Sequence, residues 1–223
     1  MSKRNLTVLI PAHNEDTGNI KYLTKTFDKH KIPYVIVDDG SEIPIKGALR
    51  RKHKGYGAAI KHGIRNIKSK YIGIIDADGQ YDPLDLVHLW ESIGHEDMII
   101  GKRVISQGGW KRLLGRFFLR ISASCMTGHY IPDLNSGIRI FKRHIAKSYS
   151  SILCDEFSFT STLTAAMLLD GYAVKWFPVE FFPRQGSSST VKLIYHGLVT
   201  LYQIIFITMG LRTRGIRKWL RER

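Results

Sequence analysis

Apolar positions in the first half of the chain fall into short continuous runs separated by stretches of helical spacing. Leu6–Ile10 is one run and ends at Pro11, and residues 19–27 then read as a helix. Tyr34–Val37 is a second run, closing on Asp38-Asp39-Gly40-Ser41. Gly57–Ile67 sets Ala59, Ile60, Ile64 and Ile67 on one side with Lys61 and Arg65 between them, an amphipathic helix. Tyr71–Ile75 is a third strand, closing on Asp76-Ala77-Asp78. Pro83 suits the first turn of the next helix, whose apolar residues are Leu84, Val87, Leu89 and Trp90, and Met98–Ile100 is a fourth strand. Continuously apolar strands alternating with helices predict an α/β fold with a mostly parallel, buried central sheet and helices on both faces.

Two later segments have a different pattern. Trp110, Leu113, Leu114, Phe117, Phe118 and Ile121 repeat at helical spacing, while Arg112, Arg116 and Arg120 form a basic stripe. Such a helix suits a membrane interface or an anionic phosphate, or equally packs on the sheet with its arginines in water. Leu193–Met209 is apolar but interrupted by His196, Gly197, Thr200 and Gln203; about 17 residues is the lower limit for crossing a bilayer. A packed or interfacial helix is expected there, followed by Arg212, Arg214, Arg217, Lys218, Arg221 and Arg223. The expected division is therefore a domain over residues 1–192 and a membrane-associated amphipathic helix with a basic tail over 193–223.

Composition narrows the function classes. With 223 residues and 43% apolar side chains the chain can bury a core without staples, which excludes a disordered protein. Its two cysteines, Cys125 and Cys154, lack metal-ligand spacing and read as buried thiols of a reducing compartment. No signal-peptide pattern opens the chain, so the expected location is cytoplasmic, peripheral on the cytoplasmic face of a membrane. A net charge of +15 calls for an anionic partner: nucleic acid, a membrane surface or a phosphorylated small molecule. No nucleic-acid module is recognisable, and the acidic clusters would repel a backbone, so nucleic acid is not an expected partner.

Ligands of parallel α/β sheets bind beyond the carboxyl ends of the strands, where both acidic clusters fall. Asp76 and Asp78, two positions apart as the chain leaves its strand, can point at one hard cation; the plain alternative is a turn before Pro83. Asp38 and Asp39 can accept hydrogen bonds from ribose hydroxyls or a base N–H, or simply shape an Asp-Gly turn. Pro11-Ala12-His13-Asn14-Glu15 ends the first strand and would line the same crevice, with Asn14 also readable as a helix cap.

In order along the chain these segments resemble the family 2 glycosyltransferases, most closely the dolichyl-phosphate-mannose-synthase-like branch that acts on polyprenyl phosphates. Pro11-Ala12-His13-Asn14-Glu15 is similar to the family's Pro-x-Tyr-Asn-Glu, and Val37-Asp38-Asp39-Gly40-Ser41 to its Val-Asp-Asp-Gly-Ser. Lys54-Gly55-Tyr56-Gly57-Ala58-Ala59, Asp76-Ala77-Asp78-Gly79-Gln80 and Gly101-Lys102-Arg103 follow. After them come Gly108-Gly109-Trp110-Lys111-Arg112, Asp133-Leu134-Asn135-Ser136-Gly137, Gly171-Tyr172 and an Arg184-x-Gly-x-Ser segment. His13 stands where the family has Tyr, Gly79 where it has an apolar residue, and Thr190-Val191-Lys192 departs from its Ser-Lys ending.

The resemblance implies a GT-A fold and inverting transfer from a UDP- or GDP-sugar. It implies donor contacts at Pro11, His13, Glu15, Asp38, Asp39, Lys54, Asp76, Ala77 and Arg103. A divalent cation, Mn2+ or Mg2+, would lie at Asp76, Asp78 and Gln80. Asp133, Asp78 and Arg112 would be catalytic, and Lys111, Arg112, Ser136 and Arg184 would hold the acceptor or its phosphate. Gly186–Thr190 is a candidate lid over the donor. A phosphate acceptor is already largely ionised at neutral pH and needs little help from a base, which suits a polyprenyl phosphate. A hydroxyl acceptor in glycan or glycolipid synthesis is the alternative, and there Asp133 would have to act as the base.

Overall fold

The computed structural model describes residues 5–104, 110–183 and 193–221, and the side chains among them except at 110–112, 193–194 and 214–221. Seven strands form one sheet: β1 (Leu6–Ala12), β2 (Tyr34–Asp38), β3 (Leu49–Arg50), β4 (Tyr71–Ile74), β5 (Met98–Arg103), β6 (Arg139–Lys142) and β7 (Val174–Val179). Among the described residues seven helices accompany them: α1 (Thr17–Lys29), α2 (Tyr56–Asn66), α3 (Pro83–Ser92), α4 (Trp110–Thr127), α5 (Arg143–Tyr149), α6 (Phe159–Leu169) and α7 (Leu193–Arg221). The spatial order is β3-β2-β1-β4-β6-β5-β7. Every pairing is parallel except those of β6, which runs against both β4 and β5.

Strand periodicity divides the core. On β1, Leu6, Val8, Ile10 and Ala12 join the cluster that includes Ile20, Leu23 and Phe27 of α1 and Leu86, Val87, Leu89 and Trp90 of α3. Leu9 points the other way, toward Ala59, Ile60 and Ile64 of α2 and Phe159, Leu163 and Met167 of α6. With both faces covered, the strands need no polar side, which is why they read as unbroken apolar runs. A third, smaller cluster joins Ala123 of α4, Ala165 and Leu168 of α6, and Ile204 of α7.

Local signals place the helix starts. Asp16 caps α1 by accepting from the Asn19 N–H at 3.1 Å, and Asp82 caps α3 by accepting from Leu84 at 2.8 Å with Pro83 at the first helical position. Gly55, before α2, has φ +105° and a Cβ there would lie 2.7 Å from the Asp155 carbonyl, so no other residue fits unstrained.

Several elements escape the sequence pattern. α6 is buried on all sides from Phe159 to Leu168, so it has no polar stripe to betray its period. β7 contains Pro178, which argues against a strand, yet β7 lies at the sheet edge, where a missing N–H is tolerated. β6 is only four residues long and carries charged residues at both ends. The basic tail expected after Met209 continues the helix to Arg221, making α7 a single element of 29 residues. The cysteines differ from expectation too: Cys125 is exposed and Cys154 only partly buried. Among the described side chains of α4, those buried are Ala123 and Thr127 near its end.

Candidate active site

The registers bring one edge of the sheet together. Ala12 lies beside Asp38, Ile74 beside Arg139, and Arg103 beside Val179. The loops leaving β1, β2, β4 and β5 and the loop entering β6 therefore share one crevice, spanning the point where the chain switches from one side of β1 to the other.

Two of those loops are tied to each other. The Asn14 N–H donates to Ser41 Oγ at 3.0 Å, and Asn14 Oδ1 accepts from the Glu42 N–H at 2.8 Å. Asn14 thus joins the first motif to the second and does not cap α1, whose cap is Asp16. Asp38 is fully buried, 0% exposed, and accepts from the N–H groups of Ser41 (2.8 Å) and Ile45 (3.3 Å) and from Arg50 (3.4 Å). Burial alone would raise its pKa, but these bonds and the Arg50 charge outweigh it and hold the carboxyl below the usual range. Asp39 accepts from Lys54 and Gly55 N–H groups, the latter at 2.8 Å, and pairs with His53 Nδ1 at 2.9 Å and Arg51 at 3.4 Å. Both carboxylates organise the loops around them, with the Asp38 side chain covered and Asp39 nearly so. His13 and His53 stack at 4.2 Å between ring centroids. Pro11 and Ala77 are buried, Glu15 is partly exposed and Lys54 is exposed.

The Asp76-Ala77-Asp78 turn sits at the centre. Asp76 Oδ1 accepts from the Tyr56 hydroxyl at 2.7 Å, and a Cβ on Gly137 would overlap the other carboxylate oxygen. Burial, then the charge of Asp78, push the Asp76 pKa up to about 7, against the opposing influence of Tyr56 and Arg139. Two close carboxylates under that mutual repulsion are what a divalent cation relieves, so the residues present fit such an ion. Gln80 accepts the Phe182 N–H through its carbonyl at 2.9 Å and donates its amide to the Phe182 carbonyl at 3.2 Å. Among the described residues no group of three or more His, Cys, Asp or Glu is arranged to hold a metal. Further positions on an ion at Asp76 and Asp78 would fall to water or a ligand's oxygens.

On the acceptor side the described residues are paired with one another. Asp133 forms a two-pronged pair with Arg103, Nε to Oδ2 at 2.7 Å and Nη2 to Oδ1 at 2.6 Å, reinforced by the Arg103 N–H at 3.2 Å. Both side chains are largely buried, and the Arg103 guanidinium also lies 5.1 Å over the Phe181 ring. The pair braces the crevice wall, with the carboxylate oxygens of Asp133 held by Arg103. Ser136 is fully buried, with its hydroxyl 3.3 Å from that of Tyr81. Arg184 and the Gly186–Thr190 segment lie outside the described residues, as do the side chains of Lys111 and Arg112.

Tyr56, Tyr81, Gly137 and Arg139 belong to the site without having been singled out individually. Tyr56 lay inside a motif but between two glycines that drew the attention, and its tie to Asp76 spans 20 residues.

A mostly parallel sheet whose strand ends gather a paired-carboxylate turn, a second acidic turn and a braced basic wall has the GT-A fold of glycosyltransferases. Residues 7–150 match the model of Glycosyl transferase family 2, and the chain belongs to that family. An uncharacterised protein of Methanocaldococcus jannaschii is 28% identical over 228 residues, covering 92% of this chain and 93% of its own length. The UDP-N-acetylglucosamine–dolichyl-phosphate N-acetylglucosaminyltransferase of Methanococcus voltae is 24% identical, covering 69% of this chain and 75% of its own. Among solved structures, glucosyl-3-phosphoglycerate synthase of Mycobacterium tuberculosis with Mn2+, UDP and phosphoglyceric acid superposes with a TM-score of 0.68. It is 13% identical, covering 93% of this chain and 78% of that one, a likeness of fold.

Proposed function

We propose that the chain is an inverting transferase that moves a sugar from a UDP- or GDP-sugar to a polyprenyl phosphate at the cytoplasmic face of a membrane. One observation carries the acceptor: α4 and α7 lie side by side and both turn apolar residues outward. On α4 these are Leu113, Leu114, Phe117, Phe118 (60% exposed) and Ile121; on α7 they are Tyr195, Leu198, Tyr202 (63%), Ile205, Phe206 and Met209 (65%). The inward face of α7 instead holds Thr200 and Thr208, each bonded back to its own helix, among Ile204, Ile207 and Leu211. A helix with its apolar side outward is suited to an interface, and no helix among the described residues is long and apolar enough to cross a membrane. The basic residues that follow on α7 suit anionic headgroups.

Asp133 supports the same acceptor. Both of its oxygens are already engaged by Arg103, and a hydroxyl acceptor needs a base where an ionised phosphate does not. The dolichyl phosphate named for the Methanococcus voltae relative agrees with this reading. On the donor side Asp76 and Asp78, with Gln80 beside them, hold Mn2+ or Mg2+ in this reading. The chemistry such an ion supplies is neutralisation of the charge developing on the departing nucleotide diphosphate. Tyr56 fixes the Asp76 carboxylate, while Lys111, Arg112 and Arg184 contribute positive charge for the phosphates.

The test is a thermal-shift screen of UDP- and GDP-sugars with and without Mn2+ on wild type and Asp78→Ala, followed by transfer to polyprenyl phosphate. Metal-dependent stabilisation by one nucleotide class, absent in the variant and followed by transfer, is the expected result. Stabilisation without transfer to any polyprenyl phosphate would leave the donor site standing and overturn the acceptor.

A further inference from the structure

Arg139 opens β6 and is the largest side chain with no solvent exposure among the described residues. Its Nη1 donates to the Thr160 carbonyl at 2.7 Å and to Thr164 Oγ1 at 2.8 Å, and its Nη2 donates to the Ser136 carbonyl. Nε has no partner, and among the described residues Arg139 forms no ion pair. A permanently charged guanidinium is thus buried with hydrogen bonds to neutral groups only. That is a strongly unfavourable arrangement unless negative charge nearby offsets it.

The groups whose charge reaches it are Tyr56, Tyr81, Asp133 and Asp76. The tyrosine hydroxyls are neutral, with pKa values pushed upward by burial, and Asp133 is already paired with Arg103. Asp76 remains. It forms no ion pair among the described residues, and the Ser136-Gly137 turn whose carbonyl Arg139 holds is the one its carboxylate rests on. A neutral donor would anchor that turn equally well. The charge itself therefore calls for an explanation, and the acidic crevice supplies it.

We propose that Arg139 is a built-in countercharge to the Asp76 carboxylate. It keeps the acidic turn in place when no divalent cation is bound and, by like-charge repulsion, moderates how tightly that cation binds. The second half rests on the reading of Asp76 and Asp78 as the cation site; the first half does not.

Two measurements test it on the full chain. In chelator, urea unfolding is followed for wild type, Arg139→Met, Asp76→Asn and the double variant. If the two charges compensate each other, Arg139→Met is clearly less destabilising in the Asp76→Asn background. Equal losses in both backgrounds, or failure of Arg139→Met to fold in either, overturn the proposal; folding only beside Asp76→Asn supports it.

The second measurement is binding of Mn2+ alone, read from the electron paramagnetic resonance of the free ion. Arg139→Met is expected to bind about tenfold more tightly than wild type, the size of a single moderate charge interaction. Arg139→Lys keeps the charge and loses the fork, so its stability falls while its Mn2+ affinity stays within about twofold of wild type. Unchanged or weaker Mn2+ binding by Arg139→Met would reduce Arg139 to a structural anchor. Wild type that binds no Mn2+ would sink the cation reading itself and leave the urea cycle to decide the countercharge.

Discussion

At the scale of single residues, the crevice is defined by what fixes each carboxylate. Asp76 is held by Tyr56 on one oxygen and crowded by Gly137 at the other, so the glycine is required by close approach. Gly137→Ala is expected to retain the fold, checked by circular dichroism, at a cost of roughly 1–3 kcal/mol of overpacking. It should also lose the Mn2+-dependent stabilisation by nucleotide sugar, because the added methyl displaces Asp76. A Gly137→Ala protein that keeps that stabilisation would show that the Asp76 position is not needed. The paired aspartates were legible in the sequence because their spacing is local. The state of Asp133 was not: its charge partner Arg103 lies 30 residues away, and a carboxylate in a motif reads as a base until that partner is seen.

At the scale of elements, α3 and α7 show how packing changes the meaning of a sequence pattern. Asp85, in the first turn of α3, has one buried oxygen without a partner, and its pKa is raised to about 6 by burial and then by the charge of Asp82. The native chain therefore keeps a proton there between the ordinary value of 3.8 and about 6, where the unfolded chain has lost it. Stability from this group falls as pH rises through that window and stays lowered above it. Asp85→Asn should therefore gain about 1 kcal/mol at pH 8, after allowance for solvent screening, and nothing at pH 3.5, in urea titrations at the two pH values. On α7 and α4 the outward residues are predicted to act at the membrane and not in folding. Phe118→Glu with Met209→Glu should leave the melting temperature within a degree or two. The double variant should lower the fraction bound to phospholipid vesicles at least about tenfold, since each side chain forfeits a burial of about 1.5–3 kcal/mol. Unchanged vesicle binding, or a shift from dimer to monomer in gel filtration, would assign this face to another occupant.

At the scale of the whole molecule, 34 basic against 19 acidic residues leave a net charge of +15, and six of the basic residues follow the apolar stretch of α7. Vesicles containing anionic lipid should bind the protein more tightly than neutral ones. Raising salt from 50 to 500 mM should erase most of that difference while leaving the apolar contribution. A salt-insensitive preference would place the basic residues elsewhere than at the membrane.

The sequence by itself determined the strands β1, β2, β4 and β5, the helices α1 to α4, and the position of both acidic turns at strand ends. Each of those follows from local periodicity and turn chemistry, which need no knowledge of neighbours. Tertiary structure alone decided that β6 runs antiparallel between β4 and β5, and that α6 is a helix buried on every side. It also decided that Asp133 is paired with Arg103, and that the apolar stripes of α4 and α7 face outward together. The physical reason is the same in each case: a side chain's charge state and its preferred environment depend on partners brought near by folding, and spacing along the chain carries no record of them.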